Sequence, residues 1–415
     1  MAMFDNVKQL ILRSLLFFGN WLLRRTDLSR YIDERAKDVV RREFMLAHGM
    51  ARGYPLVKYT FIPEITPDEQ DFAIARRLLE AYRKSMREAT GDGRADLWTN
   101  LAQSMHKEFI ELLAQNDPEA LAGYLCNMHS HDVTHGLSQG TAVCEELKSG
   151  EERRRFIATF FLDKVICLAE ALGCFPCETA EQEGWGNSLY ADVEGLLDEI
   201  EKTIGVDITQ PGIGGGLFGL DTTRGVLHLR CLNALYTAWR IRQILRHRQN
   251  PSVCEIGAGI GYVAAASHKL GIKNYSIFDL PYVAVLSGYQ LIKSLPQANV
   301  VLYGEEESSG EGSIKIYPYW HFESIDKKCF DLTLNQDSFP EVDVRVVNKY
   351  LDSMQRNTRE FFLSINQEAR AWIITLSRAQ LFVSSLMRNR ADFELVYRFR
   401  YWMREGYTEE LYRIR

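Results

Sequence analysis

The sequence predicts an α/β protein in which a mainly parallel, doubly wound sheet occupies the second half of the 415 residues, behind a mainly α-helical first half. Three observations predict it. Residues 251–281 read PSVCEIGAGIGYVAAASHKLGIKNYSIFDLP, a buried strand, a glycine turn, a helix and a second strand ending in an acid. Further short apolar strands follow at 330–335 (FDLTLN) and 360–365, as expected where helices cover both faces of a sheet. Before residue 210, by contrast, apolar residues recur at helical spacing.

In chain order, residues 28–48 carry a helical pattern, and 55–67 are punctuated by prolines. A longer helix is predicted from Thr66, with Pro67 in its first position, where a missing N–H is harmless. Its apolar stripe includes Phe72, Leu79 and Tyr82, and similar stripes predict helices within 95–115, 151–172 and 188–204. The glycine-rich run 211–225, PGIGGGLFGLDTTRG, is the best boundary, so 1–210 reads as an N-terminal helical domain and 211–415 as a second domain. A helix over 226–248 leads into the strand 253–256. The next helix, 262–270, ends on Gly271 at its C′ position, and the strand 275–278 delivers Asp279 to the carboxyl edge of the sheet, where doubly wound folds bind ligands. After 330–335 the loop QDSFPEV brings Asp337, Ser338 and Glu341 to that edge, followed by a helix over 342–357 and the strand 360–365. Segments 394–402 and 407–414 read as two closing strands.

The glycine spacing selects the ligand. Gly257, Gly259 and Gly261 lack a Cβ and let backbone approach a ligand closely. A dinucleotide turn wants Gly or Ala three residues after its second glycine, and here that residue is Tyr262. Glu255 ends the first strand, where it would repel a pyrophosphate and suits a ligand with a cationic centre.

The pattern E-x-G-x-G-x-G, with Asp279 following Glu255 by 24 residues, resembles the glycine-rich signature of class I S-adenosylmethionine-dependent methyltransferases. The resemblance implies S-adenosyl-L-methionine as cofactor, held at Gly257, Gly259, Gly261, Asp279 and Leu280, with Glu255 ordering the turn and Asp279 accepting from the ribose. It also implies a Rossmann-like, seven-stranded methyltransferase sheet completed by the C-terminal antiparallel hairpin. Over about residues 210–370 the combination EIGAGIG, FDLP, NQDSFPEV and FLSINQEA resembles the sugar O-methyltransferase family, which implies a hydroxyl of a sugar or glycoconjugate as methyl acceptor. FDLP also resembles small-molecule O-methyltransferases, but these place a catalytic histidine after the fourth strand, where this chain carries no histidine in 335–341. N- or C-methylation of another metabolite, and a non-catalytic cofactor-binding scaffold, are the competing readings.

Methyl transfer from a sulfonium needs alignment, worth up to about 7–11 kcal/mol, and gains about 10²- to 10⁴-fold from a general base. Asp337, Glu341 and His321 are the candidate bases; their structural alternatives are a helix cap, a helix-dipole partner and aromatic packing. Tyr317, Tyr319 and Trp320 beside His321 suit stacking on a sugar ring. His129 and His131, in HSHDVTHGLSQG, are candidate acceptor-binding groups; with Asp132 and His135 they offer metal-ligand types, but no second ligand pattern accompanies them and no metal is expected. Cys174 and Cys177 form a C-x-x-C outside any thioredoxin-like setting and read as structural thiols. The acidic run 305–312, EEESSGEG, reads as a mobile loop.

Composition bounds the partners. At 46% hydrophobic and 25% charged residues the chain is of globular type, and a net charge of −6 argues against nucleic acid. Eight dispersed cysteines, several within apolar segments, suggest reduced thiols and a cytoplasmic setting. Residues 7–23, VKQLILRSLLFFGNWLL, are too short and too charged to span a bilayer. They read as a helix packed on the protein or on a second copy in a homo-oligomer, with peripheral membrane contact through Phe17, Phe18 and Trp21 as the alternative.

Overall fold

A computed structural model describes residues 55–89, 96–178, 187–306, 312–325, 327–368, 372–373 and 378–415. The segment 7–23 and the helical pattern at 28–48 lie outside the described residues. The chain divides into two compact units, Met1–Pro55 with Cys177–Ala191, and Leu56–Pro176 with Asp192–Arg415. In the first, Asn187–Tyr190 forms a 3-10 turn whose Ser188 N–H donates to Glu178 at 2.7 Å.

The second unit opens with strand β1 (Tyr59–Phe61) and helix α1 (Glu69–Glu88). The helix starts two residues beyond the predicted Pro67, because Asp68 caps it: Asp71 N–H donates to Asp68 at 2.9 Å and Asp68 N–H to Asp71 at 3.0 Å, a reciprocal box that satisfies two orphan donors. Helices α2 (Leu97–Gln103), α3 (Lys107–Gln115), α4 (Pro118–Cys126), α5 (Thr141–Ser149), α6 (Glu151–Leu172) and α7 (Val193–Ile204) follow. The glycine-rich run at 211–225 lies inside the unit and does not divide it: it supplies β2 (Phe218–Thr222) and leads into β3 (Gly225–Leu227), which with β1 form a three-stranded antiparallel sheet.

Helix α8 (Leu229–Ile244) then leads to β4 (Ser252–Ile256), α9 (Tyr262–Lys269), β5 (Asn274–Asp279), α10 (Pro281–Ser294), β6 (Asn299–Leu302) and β7 (Ser313–Pro318). After β8 (Phe330–Gln336), α11 (Val344–Asn357) and β9 (Thr358–Gln367) come the two-residue strands β10 (Trp372–Ile373) and β11 (Arg378–Ala379) and helix α12 (Val383–Met387). Strands β12 (Phe393–Arg400) and β13 (Tyr407–Ile414) close the chain. Among the described residues the main sheet has eight strands in the order β12-β13-β9-β8-β4-β5-β7-β6, with β4 to β9 running parallel and β13 pairing antiparallel with both β9 and β12. The expected hairpin is present, and the expected count of seven is exceeded by one. The addition is β6, four residues paired parallel to β7 at the sheet margin.

Order reverses around β4, which pairs with β5 on one side and β8 on the other. A crevice therefore opens at the carboxyl ends of these strands, the usual place for a ligand in such sheets. One face of the sheet is sealed by Phe278, Phe322, Phe339, Phe362 and Tyr350 with α11 and α12. The first-half helices pack on the same body. Gly288 of α10 lets α1 approach so closely that a Cβ there would lie 2.5 Å from Leu78 Cδ2. Arg77 of α1 grips both oxygens of Glu305 at 2.8 and 2.9 Å, so the predicted mobile acidic loop begins with an anchored carboxylate; 307–311 lie outside the described residues. Among the described residues no helix is long and apolar enough to cross a membrane.

Candidate functional site

The turn after β4 follows from its glycines. Gly257, Gly259 and Gly261 have φ of 76°, 58° and 86°, values that side chains rarely adopt. Gly257 N–H donates to Phe278 O at 2.9 Å, and a Cβ on Gly257 would meet Ser338 Oγ at 2.4 Å. Ser338 is fixed in turn: its hydroxyl donates to Ile256 O at 3.2 Å, beside Asn335 Nδ2, which donates to the same carbonyl at 3.0 Å. Asn335 and Ser338, in the loop read for chemistry, thus stitch the end of β8 to the end of β4.

Asp279, at the tip of β5, accepts from Gly259 N–H at 2.9 Å through Oδ2 and from Leu280 N–H at 2.7 Å through Oδ1. The acid expected to hold a ribose also holds the glycine turn. Glu255 is buried, and its Oε2 accepts from Tyr275 Oη at 2.9 Å. Burial, reinforced by the nearby charge of Asp279 and opposed by the Tyr275 bond, pushes its carboxyl up to about 8. Its hydrogen bond runs to Tyr275 of β5, and a carboxyl held largely protonated at pH 7 does not carry the repelling charge expected from the sequence.

One cavity joins these parts. Its floor is the glycine turn, Asp279 and Leu280, and its walls include Trp98, Leu137, Arg230, Asp337 and Glu341. Leu137 comes from the loop before α5 and lies over Gly259, 3.3 Å from where a Cβ would sit. Asp337 adopts φ 65°, a left-handed conformation tolerated by Asp, and does not cap α11; Asp343 does, accepting from Arg345 N–H at 2.9 Å. Its Oδ2 faces Arg230 at 3.1 Å and also Arg404, while Oδ1 accepts from Tyr407 Oη. Arg404 in turn lies 3.9 Å over the Tyr407 ring. Burial alone would raise the Asp337 carboxyl, but Arg404, Arg230 and Tyr407 outweigh it and hold the group below its usual range.

Glu341 behaves oppositely. Burial, then the adjacent Asp337 charge, pushes its carboxyl up to about 8, against Arg230, Arg404 and a hydrogen bond from the Trp98 side chain. Two carboxyl groups four positions apart are thus driven in opposite directions, one locked as an anion and one poised near neutrality. This separation is the usual physical basis for dividing acid–base labour.

The remaining expected site residues lie elsewhere. His321 stacks on Tyr317 at 4.7 Å, lines a depression with Ser252, Asn274 and Ser313 at the amino ends of the strands, and is not in the cavity wall. The 3-10 turn Tyr319–Ser324 folds back along the sheet and carries it there; Tyr319 alone of that aromatic run lines the cavity. His129 is buried beneath Gly214, with Nδ1 2.8 Å from Ser138 Oγ, and burial pushes it down to about 3. His131 stacks on Tyr124 at 4.0 Å, and burial lowers it too. Neither histidine lines the cavity. Sequence reasoning missed Trp98, Arg230, Arg404 and Tyr407. Only Arg230 had a local signal, one turn into the helix preceding the glycine strand.

Gly257→Ala tests the turn. Its φ and the 2.4 Å contact with Ser338 should together cost more than the about 1–2 kcal/mol of left-handed strain alone. Gly271→Ala, at φ 92° with nothing within 4 Å, supplies the strain-only reference. Urea midpoints that shift equally in the two variants would rule out the Ser338 clash.

No family model matches the chain, and no curated protein matches it. Solved structures do. The PH0226 protein from Pyrococcus horikoshii OT3 is 10% identical, over 43% of this chain and 91% of its own, with a TM-score of 0.32. Magnesium protoporphyrin IX methyltransferase (ChlM) from Synechocystis PCC 6803, with bound SAH, is 12% identical over 44% of this chain and 84% of its own, TM-score 0.32. Thermoplasma acidophilum 1320 is 12% identical over 44% of this chain and 89% of its own, TM-score 0.29. The structures to which this chain is similar thus include a methyltransferase.

A second test addresses Glu255. Its folded carboxyl titrates near 8 against 4.5 in the ordinary state, so between these values the folded chain binds more protons than the unfolded one. Stability should accordingly fall as pH rises through that window. Glu341, pushed up as far, contributes over the same window, so Glu255→Gln should remove about half of their joint decline and the Glu255→Gln, Glu341→Gln double variant most of it, measured as urea midpoints at about pH 5 and 8. An unchanged slope would place the titration on another group.

Proposed function

We propose that this protein is an S-adenosyl-L-methionine-dependent O-methyltransferase that methylates a hydroxyl of a sugar or glycoconjugate. One observation carries the reading: a left-handed glycine turn, the strand-end acid Asp279 and the near-neutral carboxyl of Glu341 share one cavity at the carboxyl ends of β4, β5 and β8. The donor set fits the cofactor. Asp279 offers charged acceptors suited to a ribose diol, and the turn leaves no Cβ between backbone and ligand. Among the cavity's acids, Glu255 and Glu341 lean neutral and Asp337 is an anion paired with arginines, so a cationic ligand meets no net repulsion from them.

When bound, S-adenosyl-L-methionine supplies a methyl group on a positively charged sulfur, an already activated electrophile. Glu341 takes the acceptor hydroxyl's proton onto a carboxylate oxygen, and Trp98 orients that carboxylate by hydrogen bonding. Asp337 fixes the loop between β8 and α11 through Arg230, Arg404 and Tyr407, and its charge keeps Glu341 basic. Trp98 and Leu137 contribute apolar surface to the cavity wall. The sugar as acceptor rests on the resemblance of EIGAGIG, FDLP, NQDSFPEV and FLSINQEA to sugar O-methyltransferases.

The test is calorimetric titration with S-adenosyl-L-methionine, followed by release of S-adenosylhomocysteine over a panel of methyl glycosides. Saturable binding and turnover on at least one glycoside are expected. Absence of binding overturns the proposal; binding without turnover on any hydroxyl, amine or carbon acceptor leaves a cofactor-binding scaffold.

A further inference from the structure

Beside the candidate base, the cavity wall contains two amides with unused hydrogen-bonding capacity. Asn233 of α8 is only 2% exposed, yet no described residue bonds its Nδ2 or its Oδ1. Gln336, the last residue of β8, is half-buried and its Oε1 also lacks a partner among the described residues. Both line the same cavity as Glu341. Such groups normally find partners, because a buried amide without them forfeits its hydration for nothing in return.

The two residues are held side by side by Tyr401. Its hydroxyl donates to Asn233 O at 3.2 Å, accepts from Gln336 Nε2 at 3.4 Å, and lies 2.8 Å from Thr237 Oγ1. Tyr401 is itself buried, so one fixed hydroxyl holds the Gln336 amide and the main chain that carries Asn233. The amides sit one helical turn from Arg230 and one residue from Asp337, which are bonded to each other, whereas Asp279 ends β5 and Leu280 follows it.

Their chemistry selects among ligands. A carboxylate or ammonium calls for full opposite charge, and Arg230, the cation in this wall, is already paired with Asp337. An amide is neutral and two-sided: Asn233 offers two donors and an acceptor, and Gln336 offers an acceptor. A hydroxyl donates and accepts at once, and two neighbouring hydroxyls match two neighbouring amides.

We infer that Asn233 and Gln336, set by Tyr401, bind a pair of neighbouring hydroxyls on the methyl acceptor, so that the acceptor is a polyol ring with hydroxyls adjacent to the one methylated. The inference rests on the proposed methyltransferase reading and names specificity-determining residues for it. Asn233 and Gln336 hold the ring, and Glu341 receives the proton from the reacting hydroxyl.

The experiment compares methyl glycosides with their monodeoxy counterparts as acceptors, for the wild type and for Asn233→Leu and Gln336→Leu, with S-adenosyl-L-methionine affinity measured in each by calorimetry. The wild type should prefer the intact glycoside over at least one monodeoxy form by tenfold or more in kcat/KM. Each variant should lose most of that preference through a raised KM, with cofactor affinity within about twofold of wild type. Asn233→Asp and Gln336→Glu, which keep volume and polarity, guard against a folding defect and should retain part of the preference.

An unchanged preference in both leucine variants overturns the inference, as does a wild type that binds the cofactor and turns over no polyol. A fall in cofactor affinity with preference intact also overturns it and assigns the amides to the amino-acid end of the donor. A wild type that binds no S-adenosyl-L-methionine instead removes the functional proposal on which the inference stands.

Discussion

Glu341→Gln should lower kcat by about 10²- to 10⁴-fold while leaving S-adenosyl-L-methionine affinity near that of the wild type, because a base acts in the transition state and not in cofactor binding. The pH profile gives an independent readout. With the Glu341 carboxyl pushed up to about 8, the basic form grows as pH rises, so wild-type kcat/KM should climb through about pH 8 and level off above it. The residual activity of the glutamine variant should lose that limb. Single-turnover rates at saturating cofactor, from pH 6 to 9, check both statements. A full rate in the variant would leave alignment alone to carry the reaction, since Asp337 is held as an anion by two arginines and a tyrosine.

The second large effect is expected at Asp279. Asp279→Ala should weaken S-adenosyl-L-methionine binding by about 1.5–3 kcal/mol, the range for hydrogen bonds to a charged acceptor, or roughly tenfold to more than a hundredfold in Kd. Gly259 N–H loses its partner in the same step, so the turn loosens as the ligand contact is lost. Asp279→Asn keeps an oxygen for the turn and should fall between the two. Calorimetric titration of both variants separates the contributions, and an affinity unchanged in the alanine variant would remove Asp279 from the cofactor site.

The glycine turn and its flanking strands were legible because every determinant is local. β4, the turn, α9, β5 and Asp279 follow one another within Ser252–Asp279, and both observed strands lie within one residue of the predicted bounds. β6 was missed because NVVL is only four residues long, too short for a periodicity to register. The start of α1 was placed early because proline was weighted over the cap; the Asp68–Asp71 exchange sets the boundary.

In the site, Glu341 and Asp337 were identifiable as polar residues after a buried strand, but their division of roles was not. It depends on Arg230, 107 positions before Asp337, and on Arg404 and Tyr407, 67 and 70 positions after it. His321, His129 and His131 mislead for a related reason. Histidine is chemically versatile, so its presence in a sequence invites a functional reading, whereas Gly214, Tyr124 and Tyr317 decide whether it packs or reacts.

The bend between β12 and β13 gives the site a dependence on the order of synthesis. Arg404 and Tyr407 clamp Asp337, Tyr401 bonds the Gln336 amide and the Asn233 main chain, and Glu405 reaches Lys164 in α6 at 2.6 Å. On a ribosome every strand of the parallel sheet, the glycine turn and Glu341 would emerge before any of these contacts could form. A chain ending near residue 400 would keep the glycine turn, Asp279 and Arg230 but lack Arg404 and Tyr407, two of the groups that separate its two carboxyls electrically. Methyl transfer should therefore depend on residues 401–407 more steeply than cofactor binding does, and chains truncated at graded lengths would reveal a gap between the length that binds the cofactor and the length that turns over.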